Sequence, residues 1–308
     1  MSGTESCPAG TEMAGKASAC EGCPSRNICA SGTLFGETGP DPDVAKIASC
    51  LQDVKNKVVI LSGKGGVGKS TVSSLLARSL AKNEELEIGL LDIDITGPSQ
   101  PLFMGVKNEE VHKSASGWTP VYADENLAVM SAGFLLAHDA ALVWGGARKN
   151  GLLKNFLKEV EWGALDYLLI DSPPGTSDEH MSTTSLLKDA GITGAVIVTT
   201  PSKVALIDVQ RQLAFCQKVD LKILGLIENM AGFVCPKCTK ESEIFRKSDG
   251  GVEEFCEKND VAYLGALPID PKICQAMDTG ENPMDIDSPA ITKLNIICDQ
   301  IQSYCQTE

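Results

Sequence analysis

The sequence of 308 residues predicts an α/β fold in which a mostly parallel sheet carries helices on both faces. Short, almost uninterrupted apolar runs recur along the chain and are separated by segments of helical length. This pattern is typical of parallel strands that are buried on both sides. A glycine-rich segment, Gly63–Ser70, lies directly between the first of these runs and a helical pattern, which supports the same class.

The individual elements can be predicted in chain order. Residues 1–40 are rich in Gly, Ser, Pro and Cys and lack apolar periodicity, so we expect a small tail followed by one domain over 41–308. Strands are predicted at Lys57–Ser62, Ile88–Asp94, Tyr167–Asp171, Ala195–Thr199, Ile223–Glu228 and Ala262–Leu267. Helices are predicted at Ala45–Val54, Ser70–Lys82 and Pro289–Cys305, with an antiparallel edge between residues 118 and 134.

Charge and composition exclude several classes of protein. The formal net charge of −14 argues against binding to nucleic acid or to an anionic membrane surface. The N-terminus has neither a basic start nor an apolar stretch, and no apolar run is long enough to span a membrane. We therefore expect an intracellular protein, in the cytoplasm and also in the nucleus, where thiols stay reduced and clustered cysteines indicate metal ligands.

The glycine-rich segment Gly63–Ser70 matches the pattern of a phosphate-binding loop. Its glycines allow backbone N–H groups to face phosphates at the start of a helix. We expect Lys69 to neutralise the β and γ phosphates of ATP and the Ser70 hydroxyl to bind Mg²⁺. The alternative is a glycine-rich turn without a ligand. The predicted nucleotide-binding residues of the loop are Gly63, Gly65, Gly66, Val67, Gly68, Lys69, Ser70 and Thr71.

Three aspartates come at the ends of predicted strands. Asp92, Asp94 and Asp171 should lie beside the loop, because the carboxyl ends of parallel strands face one crevice. We expect Asp171 to hold Mg²⁺ through water and Asp92 to lie near the metal. The alternative is that one or more of them only caps a helix or a turn.

Four cysteines lie in the N-terminal tail, at Cys7, Cys20, Cys23 and Cys29. Four thiolates can hold either a [4Fe–4S] cluster or a tetrahedral Zn²⁺, and their spacing alone leaves both metals open. Cys235 and Cys238 form a separate Cys-x-x-Cys pair, which can be redox-active, half of a zinc ribbon or half of a cluster site. A four-ligand site there requires a second chain.

The loop resembles the deviant phosphate loop of the MinD, Mrp and nitrogenase-iron-protein class, because Lys64 stands near its start. In that class this lysine reaches the nucleotide of the other subunit of a dimer. By the same resemblance, Asp94 corresponds to the switch I aspartate that orients the attacking water, and Ser172–Thr176 to switch II. Asn229 is similar to the asparagine that binds adenine, and Pro201 is expected to border the base.

Nearly the whole chain resembles the eukaryotic cytosolic iron–sulfur cluster assembly scaffolds of the Mrp/nucleotide-binding-protein family, in the subunit with a cysteine-rich tail. The resemblance rests on the tail cysteines and on Gly63–Thr71, Asp171–His180 and Glu228–Cys238. It implies a [4Fe–4S] cluster in the tail and a second [4Fe–4S] cluster that bridges two subunits through Cys-x-x-Cys. It also implies ATPase activity coupled to cluster assembly and to transfer to cytosolic and nuclear apoproteins.

The implied partners are a second copy, or a shorter tail-less homologue in a heterotetramer, together with apo iron–sulfur proteins and downstream transfer factors. Neither nucleic acid nor a membrane is expected as a partner. Three alternatives remain at this point: a positioning or partitioning ATPase of the same fold with zinc-bound structural cysteines, a zinc-stabilised ATPase without iron chemistry, and a reductase similar to the nitrogenase iron protein.

Overall fold

The computed structural model describes residues 16–17, 20, 42–115, 117–135, 146–175, 183–184, 186–244 and 250–306. The chain divides into two compact units, Met1–Pro42 and Asp43–Glu308. In the first unit, the backbone N–H of Cys20 donates to the carbonyl of Ala17 at 2.9 Å. The remaining tail cysteines of the predicted cluster site, Cys7, Cys23 and Cys29, lie outside the described residues.

The second unit alternates helices and strands. The helices are α1 Pro42–Cys50, α2 Lys69–Ala81, α3 Gln100–Phe103, α4 Gly146–Glu159, α5 Lys203–Val219, α6 Gly251–Lys258, α7 Pro271–Thr279 and α8 Pro289–Gln306. The strands are β1 Val54–Leu61, β2 Ile88–Asp92, β3 His112–Lys113, β4 Trp118–Thr119, β5 Val121–Asp124, β6 Leu127–Ser131, β7 Leu165–Asp171, β8 Gly194–Thr199, β9 Ile223–Val234, β10 Glu241–Ser242 and β11 Tyr263–Ile269. None of the described helices is both long and apolar enough to cross a membrane.

Nine strands form one sheet within the described part of the chain, and β3 pairs with β4 separately. The order is β10-β9-β8-β1-β7-β2-β6-β5, and β11 also pairs with β9. The pairs β1–β7, β1–β8, β2–β6, β2–β7, β8–β9 and β9–β11 are parallel. Only β5 on β6 and β10 on β9 run antiparallel among the described strands of this sheet. The predicted α/β class with a mostly parallel sheet is confirmed.

Hydrophobic residues cover both faces of the sheet. Along β1, Val58 and Ile60 belong to a core shared with α2 and α8, whereas Val59 and Leu61 belong to a core shared with α1, α4 and α5. Successive side chains of a strand point to opposite faces, so a strand covered on both sides has no polar face. This double burial explains the uninterrupted apolar runs of the sequence.

Several predicted boundaries differ from the structure, and three of the differences have a clear cause. The first helix ends at Cys50 instead of continuing to Val54, which is the first residue of β1. β2 ends at Asp92, because the carboxylate of Asp92 accepts the N–H of Asp94 at 3.1 Å and turns the chain. β9 continues past Glu228 to Val234, because β10 and β11 pair with its second half.

Candidate nucleotide site and cysteine hairpin

The glycine-rich loop connects β1 to the first residue of α2, Lys69. Gly66 and Gly68 have φ of 81° and 80°, a region that side chains other than that of glycine rarely adopt. A methyl group at Gly63 would lie 2.6 Å from the backbone carbon of Asp208 in α5. A methyl group at Gly68 would lie 2.3 Å from Nδ2 of Asn229. The glycines therefore fit both the curvature of the loop and its close neighbours.

The loop borders a cleft of about 230 Å³ that is suited in size and chemistry to phosphates. Its far side is formed by Asp94, Ser99, Phe103 and Pro174. On the loop side, the cleft is lined by Ser62, by Lys64 and by seven of the eight predicted loop residues: Gly65, Gly66, Val67, Gly68, Lys69, Ser70 and Thr71. The eighth, Gly63, does not line it. Backbone N–H groups at the start of a 13-residue helix give this cleft a positive potential, as a phosphate site requires.

Lys69 and Asp171 form a buried ion pair at the base of the phosphate cleft. The Nζ of Lys69 donates to Oδ1 of Asp171, and the two side chains are 6% and 0% exposed. The hydroxyl of Ser73 donates to the same oxygen at 3.0 Å. The Nζ of Lys69 also lies 3.3 Å from Oγ of Ser70. The cation, the hydroxyl and the carboxylate that the sequence predicts for MgATP thus lie together.

Gln100, which the sequence analysis missed, connects three parts of this site. Its Nε2 donates to Oδ2 of Asp171 at 2.7 Å and to the carbonyl of Ser70 at 3.0 Å. Its Oε1 accepts the hydroxyl of Ser74 at 2.5 Å. The side chain is completely buried, so its polar groups depend on these partners. No motif marks Gln100, because its contacts join residues far apart in sequence.

Asp92 lies next to this network and is completely buried. Its Oδ2 accepts the hydroxyl of Ser131 at 3.0 Å and the N–H of Gln100 at 3.3 Å. Burial, reinforced by the nearby Asp171, raises the pKa of Asp92 to about 7, although Lys69 and these hydrogen bonds act in the opposite direction. Asp92 therefore lies beside the Lys69–Asp171 pair, and its position near Mg²⁺ stays a prediction.

Asp94 and the segment after Asp171 approach the cleft from the side opposite the loop. Oδ1 of Asp94 accepts the hydroxyl of Thr96 at 2.6 Å, which fixes the turn after β2. The N–H of Gly175 donates to the carbonyl of Ser62 at 2.8 Å, so the end of the Ser172–Gly175 segment is attached to the residue before the loop. Thr176 and the rest of the predicted motif to His180 lie outside the described residues.

Two further clefts flank the phosphate cleft. Asn229 lies in a cleft of about 160 Å³ that also contains Gly68 and Thr71. Nδ2 of Asn229 donates to the carbonyl of Val67 at 2.8 Å, so this amide supports the loop directly. Pro201 lies instead in a cleft of about 340 Å³ on the other side of the loop, together with the exposed Lys64.

The cleft around Asn229 contains residues that the sequence analysis missed. Pro268 and Ile269, the last residues of β11, and Asp270 after them form one wall, while Ala290 and Ile291 of α8 form another. Asp270 caps α7 by accepting the N–H of Lys272 at 2.9 Å and also accepts the hydroxyl of Ser288 at 2.5 Å. An apolar slot with a few polar groups next to a phosphate cleft is suited to a nucleotide base. Its residues are scattered over the C-terminal third, so no local signal indicated them.

Cys235 and Cys238 lie in the turn between β9 and the two-residue strand β10. The N–H of Cys235 donates to the carbonyl of Lys240 at 3.0 Å, and the N–H of Thr239 donates to the carbonyl of Cys235 at 2.8 Å. Cys235 is half-buried and Cys238 is exposed. Hydrogen bonds from the backbone of Cys238 and Lys237, and from the thiol of Cys238, lower the pKa of Cys235. This favours the thiolate, the form that binds metal.

The hairpin offers two sulfur ligands and no more. In the described part of the chain, no group of three or more His, Cys, Asp or Glu side chains could hold a metal ion. The cysteines outside the tail and the hairpin differ in exposure: Cys216, Cys256, Cys298 and Cys305 are buried, whereas Cys50 and Cys274 are exposed. Burial raises the pKa of the Cys216 and Cys256 thiols to about 12, as expected of apolar core residues.

Comparison with solved structures places the chain among nucleotide-binding proteins. A nucleotide-binding protein from Archaeoglobus fulgidus, in complex with ADP and with cobalt found in it, is 35% identical, with a TM-score of 0.65. The match covers 77% of this chain and 91% of that one. The cell division ATPase MinD of Pyrococcus furiosus shares the fold at 21% identity, with a TM-score of 0.58 over 81% and 99% of the two chains.

MinD of Pyrococcus horikoshii, complexed with Mg-ADP, also has this fold, at 22% identity and a TM-score of 0.55 over 80% and 95% of the two chains. The family model of the NUBPL iron-transfer P-loop NTPases, within the ParA group, matches residues 53–302. This match includes the whole nucleotide site and the cysteine hairpin. The chain therefore belongs to the NUBPL iron-transfer P-loop NTPase family.

Proposed function

We propose that this protein is an ATP-dependent scaffold that assembles [4Fe–4S] clusters and transfers them to cytosolic and nuclear apoproteins. The observation that carries the proposal is the hairpin that presents Cys235 and Cys238 at the surface. Its two thiols are accessible, and the lowered pKa of Cys235 suits a ligand that must bind and later release a metal. Membership of an iron-transfer family supports iron over zinc as the cargo.

The phosphate cleft fits MgATP. Lys69 and the Ser70 hydroxyl are the groups that would hold the phosphates and Mg²⁺, and Asp171 would bind the metal through water. When bound, Mg²⁺ neutralises charge on the phosphates and so lowers the cost of phosphoryl transfer. In the structure Lys69 pairs with Asp171, so phosphate binding has to redirect the ammonium group from a carboxylate to the nucleotide. Asp94, on the opposite wall, is the group proposed to orient the attacking water.

A cluster at the hairpin requires a second chain. A [4Fe–4S] cluster takes four thiolates, and one hairpin supplies two. Two-fold symmetry brings identical surfaces together, so a cluster on the axis would receive one Cys235–Cys238 pair from each chain. The exposed Lys64 is proposed to reach the partner's nucleotide in the same dimer. A shorter homologue without a tail would complete the site equally well and give a heterotetramer.

The tail is proposed to hold a second, more stable [4Fe–4S] cluster through Cys7, Cys20, Cys23 and Cys29. Its composition offers little apolar surface, so metal binding would supply the free energy that orders it. We accordingly propose a metal-binding tail over residues 1–40 and an ATPase domain over 41–308. Recipients would be apo iron–sulfur proteins and downstream transfer factors in the cytoplasm and the nucleus.

Anaerobic reconstitution tests the proposal. The full-length protein is loaded with iron and sulfide, and transfer to an apo iron–sulfur protein is followed by recovery of the acceptor's activity. The Cys235→Ala/Cys238→Ala double variant should lose transfer while it retains ADP binding. Cys50→Ala, which removes another exposed thiol, is the matched control and should transfer normally. Undiminished transfer by the double variant, or stoichiometric zinc with no uptake of iron by the wild type, would contradict the proposal.

A further inference from the structure

A single strand joins the nucleotide site to the cysteine pair. Within β9, Asn229 supports the loop through its hydrogen bond to Val67, and the strand ends at Val234, one residue before Cys235. The seven residues from Asn229 to Cys235 are six steps apart along the chain and span at most roughly 20 Å at the rise of a β-strand. A short, continuous stretch of backbone therefore connects the two sites.

This segment is bent at Met230. Met230 has φ of 59°, in the left-handed region that a bulky side chain avoids. The other described residues with positive φ that are not glycine are Asp220, Thr239 and Asp260, which end helices or lie in the hairpin turn. Met230 is thus the only one of these four inside a strand. Such a conformation costs free energy, and it persists only where the surroundings enforce it.

Strand pairing confirms the bend. On β11, Leu267 pairs with Asn229 and Ile269 pairs with Phe233. An advance of two residues on β11 therefore corresponds to four on β9, which is a bulge between Asn229 and Phe233. Bulges redirect the strand that contains them. The bulge of β9 consequently sets the direction in which the hairpin with Cys235 leaves the sheet.

Met230 is also in contact with the space on both sides of the loop. It lines the cleft that contains Asn229 and Asp270, and it lines the cleft that contains Lys64 and Pro201. A base in the first cleft or a group entering the second would meet this side chain. Among the residues that the structure describes, Met230 is the one that lines both of these clefts.

The other end of the hairpin is attached to the same region. Both carboxylate oxygens of Glu241 in β10 lie 2.7 Å from Nζ of Lys293 in α8. The first turn of α8 supplies Ala290 and Ile291 to the cleft around Asn229. The two strands that flank Cys235 and Cys238 are therefore both linked to walls of that cleft.

We propose that Met230 is a positioning residue that couples nucleotide binding to the orientation and accessibility of Cys235 and Cys238. A nucleotide that contacts the Met230 side chain changes the bend of β9, and the bend reorients the hairpin. The inference rests on the proposed function in one respect, that the clefts bind a nucleotide. It does not require the cysteines to be loaded with iron.

Thiol alkylation of the full-length, metal-free protein tests this coupling. Iodoacetamide labelling is followed peptide by peptide with mass spectrometry, with and without saturating Mg-ADP. In the wild type, ADP should change the labelling rate of Cys235 and Cys238 by at least about fivefold, the lower range of typical coupling between sites. Cys50 serves as the internal reference, because it lies outside the clefts and the hairpin.

Two variants of Met230 separate a role in coupling ADP binding to cysteine labelling from a role in folding alone. Met230→Gly tolerates the left-handed backbone and removes the side chain, so at an ADP concentration that saturates this variant it should lose most of the ADP effect on labelling. Met230→Leu keeps a bulky apolar group in both clefts and should retain the effect. If Met230→Gly fails to fold by circular dichroism, Met230→Asn, which also tolerates this conformation, replaces it.

Two results would overturn the inference: labelling of the wild-type pair that ADP leaves unchanged, or a full ADP effect in the folded variant without the Met230 side chain. Neither result depends on iron. Loss of cluster transfer together with intact ADP-dependent labelling would instead refute the proposed cargo alone.

Discussion

The phosphate cleft and the cysteine hairpin are built in opposite ways. In the cleft, Lys69, Asp171 and Gln100 are buried, and Lys69 and Gln100 both bond to Asp171, so the loop cation and the carboxylate expected to hold the metal come from one chain. In the hairpin, Cys235 is half-buried and Cys238 is exposed, and no third ligand lies nearby in the described residues. The difference predicts that one chain binds a nucleotide with its own buried groups, whereas a cluster at the hairpin needs the thiols of a second chain.

Removal of the Lys69 ammonium group should reduce stability and ADP affinity more than any other change proposed for the cleft or the hairpin. Lys69→Ala removes the phosphate-binding cation and leaves the buried Asp171 carboxylate without its partner. Loss of one partner of a buried pair typically costs about 3 kcal/mol of unfolding free energy, and we expect a loss of ADP affinity of at least about 100-fold. Chemical denaturation and isothermal titration calorimetry measure the two effects.

A second substitution separates these two effects of Lys69→Ala. In Lys69→Ala/Asp171→Asn the buried charge is gone, and Gln100 and Ser73 still supply hydrogen-bonding partners at this position. This double variant should regain at least about half of the lost stability without regaining ADP affinity. Recovery of ADP binding in the double variant would contradict the role of Lys69 as the phosphate-binding cation.

Substitution of Asn229 should cause an intermediate loss of ADP affinity. Asn229→Ala removes the hydrogen bond to the carbonyl of Val67, and a bond of this type contributes about 1 kcal/mol, or about fivefold in ADP affinity. Asn56→Ala is the matched control, because its Nδ2 donates to the carbonyl of Asp166 at 3.0 Å far from the clefts. Equal losses of ADP affinity in both variants would show that Asn229 acts only through general stability.

The smallest expected effect is a difference in thiol pKa between Cys235 in the hairpin and Cys50. Because hydrogen bonds lower the pKa of Cys235, its thiolate should form at a lower pH than that of an ordinary thiol. Burial raises the pKa of Cys50, whose thiol also donates to the carbonyl of Lys158 at 2.9 Å. The pH profile of iodoacetamide labelling should therefore reach its midpoint at lower pH for Cys235 than for Cys50. The reverse order would contradict a thiolate-stabilising hairpin.

The sequence predicted those features of the molecule that are determined by residues close together in the chain. The loop from Gly63 to Ser70 is continuous, and its glycines meet steric needs of the loop itself, so the motif alone indicated its place. Asp92, Asp94 and Asp171 were expected near the loop because they end neighbouring strands, and all three lie there.

Features that depend on contacts between distant residues were not predicted. Gln100 joins Asp171 to Ser70, and Asp270 forms a wall of the cleft around Asn229, yet neither lies in a recognisable pattern. The sequence Asn-Met-Ala-Gly after Glu228 resembles a turn, whereas β9 continues through it with a bulge that only the pairing with β11 determines. The first helix was predicted too long, because Val54, which the prediction counted as its last residue, is the first residue of β1.

We propose that the cysteine pair is half of a site shared between two chains. Native mass spectrometry of anaerobically reconstituted protein tests it most directly, in a Cys20→Ser/Cys23→Ser background that removes the proposed tail cluster. We predict about one four-iron cluster per two chains, present in dimers and absent from monomers, and lost when Cys235→Ala/Cys238→Ala is added. A four-iron cluster bound to monomers, or retained after removal of both hairpin thiols, would contradict the account.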